Sequence, residues 1–275
     1  MSLAESAALS WAVDHARELL ENRSITVLTG AGISTDSGIP DYRGGGKSPR
    51  NPISYQQFVS SSDVRARYWA RSYVGWQRIS SALPNAAHNL LADAEGRGRI
   101  QALVTQNVDG LHAKAGSQRL TELHGSLERV VCLDCRAESS RNSLTNRIRL
   151  LNPQASFSSE FEIAPDGDAA IESPQQFNVP DCLECGGVLK PKVVFFGENI
   201  PAPVAQKARS EVISADSLLV VGSSLAVNSA LRLVQLAVAQ KTPVIIVNLG
   251  ETKADAICDV KIEASASASL GELFG

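Results

Sequence analysis

A β-branched run, Ile25-Thr26-Val27-Leu28-Thr29, passes directly into Gly30-Ala31-Gly32. Such an unbroken apolar-rich run reads as a strand buried on both faces, as strands of a parallel sheet are. Gly-x-Gly at its end lets the backbone turn sharply and approach a ligand, because glycine has no Cβ. The residues that follow can open a helix, whose free N–H groups attract a pyrophosphate. The third glycine of the dehydrogenase pattern is missing; Ile33-Ser34-Thr35 stands at its offset. Gly-x-Gly alone is explained equally well by a tight turn that binds nothing. The extension Gly38-Ile39-Pro40-Asp41-Tyr42-Arg43 shifts that balance. A carboxylate, an aromatic ring and a guanidinium side by side suit a loop folding over a ligand better than a core.

Three more runs read as parallel strands: Ile100–Thr105, Leu218–Gly222 and Val244–Asn248. Helical patterns such as Ala226–Gln240 separate them, and this alternation predicts an α/β doubly wound sheet. Ligands in such sheets sit at the carboxyl ends of the strands. There the chain places Gly30-Ala31-Gly32, Gln106-Asn107-Val108-Asp109, Gly222-Ser223-Ser224 and Asn248-Leu249-Gly250. Four polar, ligand-ready strand ends facing one crevice point to a binding site. Residues 45–88, rich in Arg and aromatics, read as a helical insertion, and residues 128–200 as a separate small module.

Four of the five cysteines form two pairs, Cys132-x-x-Cys135 and Cys182-x-x-Cys185. Two matched pairs read as one tetrahedral Zn²⁺ site, structural because four thiolates leave no open position. Cys258 reads as a small buried hydrophobe. His124, between a short apolar segment and Gly125, is placed at a strand end. A neutral imidazole there could act as a general base, or could be a satisfied structural histidine. His88 and His112 read as packing residues and His15 as surface.

The net charge is −3, with 20% charged and 44% hydrophobic residues. That composition gives no bulk attraction to nucleic acid or to an anionic membrane. No apolar run approaches the ~20 residues that span a bilayer. The start of the chain has neither a signal peptide's apolar centre nor a transit peptide's composition, so a cytoplasmic location is expected.

Together these segments resemble the sirtuins, the NAD-dependent protein-lysine deacylases. The resemblance rests on Gly30–Ser34, Gly38–Arg43, Thr105–Asp109, Leu123-His124-Gly125, both cysteine pairs, Lys190–Glu198 and Gly222-Ser223-Ser224. These occur in family order and span nearly the whole chain. Arg65–Trp76 and Ala164–Asp168 resemble the class II branch, which includes a mitochondrial sirtuin of weak deacetylase activity. The implied organisation is a Rossmann-like NAD-binding domain (1–44, 89–127 and 201–275), the helical insertion 45–88 and a zinc-binding domain over 128–200.

The resemblance implies NAD as co-substrate and one structural zinc ion. It implies acylated-lysine proteins or peptides as partners, without nucleic acid or membrane, and a monomer is expected. NAD contacts are expected from Gly30, Ala31, Gly32, Ser34, Pro40, Asp41, Tyr42, Arg43, Gln106, Asn107, Asp109, Gly222, Ser223, Ser224, Asn248, Leu249, Gly250 and Asp259. In the implied reaction the substrate's acyl oxygen captures C1′ as nicotinamide leaves. His124 is then the base acting through the ribose hydroxyls, helped by Asn107 and Asp109. The products are free lysine, nicotinamide and O-acyl-ADP-ribose. Tyr42 would shield C1′ and Arg43 would hold phosphate or ribose oxygens. Val193, Phe195, Phe196, Gly197 and Glu198 resemble the edge to which an extended peptide adds as a strand.

Tyr68-x-x-Arg71 puts a phenol and a guanidinium on one helix face. It resembles a pair that grips acyl carboxylates in another sirtuin branch, so a preference for acidic or long acyl groups over acetyl is expected. The competing readings are a nicotinamide dehydrogenase, a mono-ADP-ribosyltransferase and a zinc-dependent binding module without catalysis.

Overall fold

The computed structural model describes residues 3–42, 52–155, 162–170 and 177–275. Arg43 lies outside the described residues.

Helix α1 (Leu3–Leu20) leads into β1 (Ile25–Thr29), which ends in a 3-10 turn over Ala31–Ser37. The sequence predicts an α-helix after Gly30-Ala31-Gly32; the tighter turn forms instead, and Gly38 closes it at φ 79°. Helices α2 (Tyr55–Ser60), α3 (Ser62–Ser81) and α4 (Ala86–Gly96) precede β2 (Ile100–Thr105). Next come α5 (Leu111–Lys114), β3 (Leu120–Glu122), β4 (Gly125–Cys132), β5 (Glu138–Ser140), α6 (Arg141–Leu151) and β6 (Leu189–Val193). The chain closes with α7 (Ala202–Ile213), β7 (Ser217–Val221), α8 (Asn228–Ala239), β8 (Val244–Val247), β9 (Val260–Ile262) and α9 (Ala266–Phe274).

Six of these strands form one parallel sheet in the order β3-β2-β1-β7-β8-β9. This is the Rossmann-like, doubly wound arrangement that the alternation predicts, and the strand order reverses between β1 and β7. Successive residues feed opposite faces, as the period of two requires. Val27, Leu103, Leu219 and Ile245 enter one apolar layer with α1, α4 and α9, whereas Leu28, Val104, Val220 and Ile246 enter the other with α7 and α8.

A second, antiparallel sheet runs β5-β4-β6. It shares a third core with α2, α3 and α6, containing Phe58, Tyr68, Trp69, Leu144 and Phe195. Arg141 ties α6 to α3: its fully buried guanidinium donates to the Ser72 carbonyl and hydroxyl, each at 2.9 Å. Its flat face lies 4.8 Å from the Trp69 ring centre and 5.5 Å from that of Trp76, a stacking suited to a delocalised cation. Gly75 lets α3 meet the 163–169 segment, because a Cβ there would fall 1.9 Å from the Gly167 carbonyl oxygen. No helix among the described residues is long and apolar enough to cross a membrane.

Candidate active site and metal centre

The turn after β1 and the turn after β7 touch through backbone alone. Gly30 N–H donates to Val221 O at 3.1 Å and Gly32 N–H to Gly222 O at 2.8 Å. A Cβ on Gly32 would lie 2.9 Å from Gly222 O, and one on Gly30 2.7 Å from Ser223 Cβ. The glycines therefore leave a thin-walled cradle at the switch point, into which a ligand's phosphates can approach the main chain. That cradle fits NAD, and it opens into a cavity of about 1270 Å³.

Polar side chains fix the cavity floor. Asn107 donates from Nδ2 to Gly30 O and to Ser34 Oγ, both at 3.1 Å. Ser34 Oγ donates to Asp109 Oδ2 at 2.8 Å, and the second Asp109 oxygen accepts from Leu111 N–H at 2.9 Å. Burial raises the Asp109 pKa, and those two donors oppose the shift. Gln106 Nε2 donates to Ser223 Oγ at 2.8 Å, tying the end of β2 to the turn after β7. Asn248, Leu249 and Gly250, after β8, line the same cavity.

His124 follows β3 and precedes β4, at the seam of the two sheets. Its Nδ1 lies 3.0 Å from the Gln106 carbonyl oxygen. A carbonyl only accepts, so Nδ1 carries the proton and Nε2, on the cavity side of the ring, carries the lone pair. Burial lowers the His124 pKa, which keeps the ring neutral at pH 7. Its own carbonyl accepts from Val194 N–H at 2.8 Å. That bond places the 193–198 segment beside the imidazole, and Val193, Phe195, Phe196, Gly197 and Glu198 all line the cavity. Glu198 shapes this segment by accepting from Phe195 N–H at 2.9 Å and pairing with the buried Lys190 ammonium at 3.0 Å.

Of the other residues named from the sequence, Ala31, Asp41, Ser224 and Tyr42 line the cavity, Tyr42 being 60% exposed at its mouth. Pro40 lies next to the lining residues Ile39 and Asp41 without joining them. Asp259 is not brought to the crevice. Its carboxylate accepts from Val244 N–H at 2.8 Å, at the first residue of β8 and hence the opposite edge of the sheet. The reason is topological: β9 runs parallel to β8, so the residue just before it starts where β8 starts. Cys258 is half-buried, with Sγ 3.5 Å from the Asp255 carbonyl oxygen, rather than a core residue.

The Tyr68–Arg71 expectation divides. Tyr68 lines the cavity, packed edge-on against Phe58 and tilted on Phe195. Arg71 is absent from the lining among the described residues. Its guanidinium is held by Asp168 at 2.6 Å and by the Ala169 carbonyl at 3.0 Å. The Arg71 guanidinium thus does not join the cavity wall beside Tyr68, where Asp166 and Asp168 stand, and the arginine among the described lining residues is Arg232.

The four paired cysteines converge. Their Sγ atoms lie within 4.8 Å of one another, with Cys132 3.5 Å from Cys185 and Cys135 3.7 Å from Cys182. Tetrahedral zinc with Zn–S near 2.3 Å requires S···S separations of about 3.8 Å, so the thiols fit the ion. Asp134 joins the two knuckles by accepting from Val188 N–H at 2.9 Å.

Sequence reasoning missed Ser229. Its hydroxyl lies 2.9 Å from His124 Nε2 and faces the cavity from the first turn of α8. A serine early in a helix looks like a capping residue, and the 105 residues separating the pair hide the contact.

Comparison with known proteins agrees with this architecture. The Sir2 family model matches residues 30–229. A mitochondrial NAD-dependent protein lipoamidase, sirtuin-4 of Bos taurus, is 48% identical over 251 residues, covering 88% of this chain and 79% of that protein. NAD-dependent protein deacetylase 1 of Mycobacterium avium (strain 104) is 45% identical over 259 residues, covering 93% and 92%. A solved Sir2–p53 peptide–NAD+ structure superposes with a TM-score of 0.76 at 33% identity, covering 95% of this chain and 96% of the other. A glycine cradle, a neutral histidine at the sheet seam, a Cys₄ centre and these matches lead to one conclusion: the chain belongs to the Sir2 family.

Proposed function

We propose that this chain is an NAD-dependent protein-lysine deacylase with His124 as its general base. The observation that carries the reading is the place of the His124 Nε2 lone pair, in one cavity with the glycine cradle and the 193–198 segment. NAD, when bound, supplies an electrophilic C1′ by losing nicotinamide. The chain's residues do the rest. Gly30, Gly32 and Gly222 admit the cofactor to the main chain. Asn107, Ser34 and Asp109 orient ribose and carboxamide groups. His124 receives a ribose proton at Nε2 while Nδ1–H stays on the Gln106 carbonyl. Tyr42 limits water at the mouth.

The relative named lipoamidase supports activity on long acyl groups, and the relatives named deacetylase support activity on acetyl as well. The acidic arm of the sequence expectation loses the support of Arg71, since Asp168 holds that guanidinium. A monomer acting on acylated proteins in the cytoplasm, where four metal-binding thiols stay reduced, completes the proposal.

The test is mass spectrometry on an acyl-lysine peptide incubated with NAD. Nicotinamide and O-acyl-ADP-ribose should appear together, and His124→Ala should abolish O-acyl-ADP-ribose and free lysine while NAD still binds. ADP-ribose left on protein in place of O-acyl-ADP-ribose would assign a transferase instead.

A further inference from the structure

Imidazole Nε2 has one lone pair. In this structure that pair is already taken. The Ser229 hydroxyl is its donor, because Nδ1 carries the ring's proton on the Gln106 carbonyl and Nε2 has none to give. The nitrogen that must accept a proton from a ribose hydroxyl is therefore already bonded to another hydroxyl.

The cap is built into the fold. The segment from Gly222 to α8 turns at Leu225, a bulky residue at φ 53° and 1% exposed. Left-handed backbone at a leucine is strained, and it persists only where its surroundings enforce it. Here the buried Leu225 side chain lies in the apolar layer beneath α7 and α8, and Leu225 N–H donates to Ser223 Oγ at 3.2 Å. Ser223 itself is held by Gln106. Gln106 thus reaches both ends of the pair: its carbonyl orients the imidazole, and its amide holds the turn that delivers Ser229. The hydroxyl is placed by a fixed loop rather than by a mobile surface chain.

We propose that Ser229 is a positioning residue that masks the base in the NAD-free protein and yields its place to a ribose hydroxyl on cofactor binding. The proposal rests on His124 being the base. The exchange balances: one O–H···Nε2 hydrogen bond breaks, one forms, and no proton changes owner until the chemical step. Masking holds the imidazole neutral, in the tautomer and orientation that the ribose needs. It also means that cofactor binding works against a bond already made.

Two readouts on the intact protein without acyl-peptide test this. The first is the ¹⁵N signal of His124 Nε2 in NAD-free protein labelled at histidine. Wild type and Ser229→Thr should show a hydrogen-bonded acceptor, and Ser229→Ala should move toward an unbonded pyridine-type nitrogen. The second is calorimetric titration with NAD alone. Losing a competing neutral hydrogen bond should tighten NAD binding by about two- to tenfold in Ser229→Ala, with Ser229→Thr restoring the wild-type affinity. Should Ser229→Ala fail to fold, Ser229→Cys, which keeps the size and weakens the donor, replaces it in both measurements.

An Nε2 signal unmoved by the alanine variant would overturn the mask. So would NAD affinity that is unchanged or weaker. If kcat with acyl-peptide falls while NAD affinity is unchanged, Ser229 is a proton relay and the mask is wrong. If the ¹⁵N and NAD results hold but no variant deacylates any peptide, the proposed activity fails and the mask stands.

Discussion

Removing the Arg71 guanidinium should both destabilise the protein and change which acyl chains it tolerates. Arg71 and Asp168 pair at 2.6 Å with side chains only 20% and 12% exposed, and Arg71 also serves the Ala169 carbonyl. Arg71→Met leaves a carboxylate mostly out of water and a carbonyl short of one donor. Breaking a fully buried pair costs about 3–5 kcal/mol and an exposed one about 0–1. At this intermediate burial, with the lost backbone bond included, about 2–4 kcal/mol is expected. Arg71→Met/Asp168→Asn should recover at least half of that, because the uncompensated charge is gone. Urea unfolding followed through Trp69 and Trp76, both buried in α3, measures each value. The acyl readout uses glutaryl- and octanoyl-lysine peptides. In Arg71→Met the Asp168 carboxylate at the cavity wall loses the guanidinium that balances it, so glutaryl turnover should drop further than octanoyl turnover. The double variant should restore the ratio. If Arg71 instead grips acyl carboxylates, the ratio stays depressed in the double variant. That outcome, or a loss of stability under about 0.5 kcal/mol in the single variant, would refute the reasoning.

Cys182→Ser should abolish stoichiometric zinc by elemental analysis and lower Tm steeply, since structural zinc contributes on the order of 10 kcal/mol of folding free energy; retained zinc and Tm would reject the site. Gly75→Ala should cost about 1–3 kcal/mol, because the new methyl meets the Gly167 carbonyl; calorimetry checks it. Stability should also fall as pH drops from about 6.5 to about 4. Burial lowers His88 from its ordinary 6.5 to about 4 and pushes the adjoining His112 well below its own. The unfolded chain therefore binds more protons in that window, and His88 alone accounts for about 3 kcal/mol. Denaturation of His88→Gln across that range should show a flatter profile.

The four central strands were legible because each is buried on both faces and so apolar at nearly every position. Their polar carboxyl ends gave away the crevice, and two matched Cys-x-x-Cys pairs gave away the metal. Strand β3 was legible only as the short apolar segment ahead of His124, and β9 not at all, since three residues carry no periodicity. What failed at the site failed through distance along the chain. The i,i+3 spacing correctly puts Tyr68 and Arg71 on one helix, but Asp168, which claims the guanidinium, lies 97 residues away. Asp259 was expected at the cofactor only through the resemblance, and the parallel pairing of β9 with β8 puts it at the opposite end of the strands. Ser229 has no local signal, because its role exists only opposite His124.

Strand β4 begins at Gly125, one residue past the histidine, and ends at Cys132, a zinc-site cysteine. Its partner β6 returns alongside, with Leu189 opposite Cys132 and Val193 opposite Gly125. The metal centre and the reacting centre thus occupy opposite ends of one two-stranded arm, roughly 14 Å apart along the four steps of β6 at 3.4 Å per residue, with β4 taking up its extra residues in an irregularity between Gly125 and Val130. That length is an insulating gap. Thiolates, which oxidise easily, are kept far from an electrophilic reaction, while the arm still transmits their rigidity to the segment beside the histidine. It also separates what can vary from what cannot. Exposed residues of the knuckles, such as Leu183, can change without disturbing the chemistry, whereas an insertion within β6 would throw the base out of register with the strand that presents its substrate.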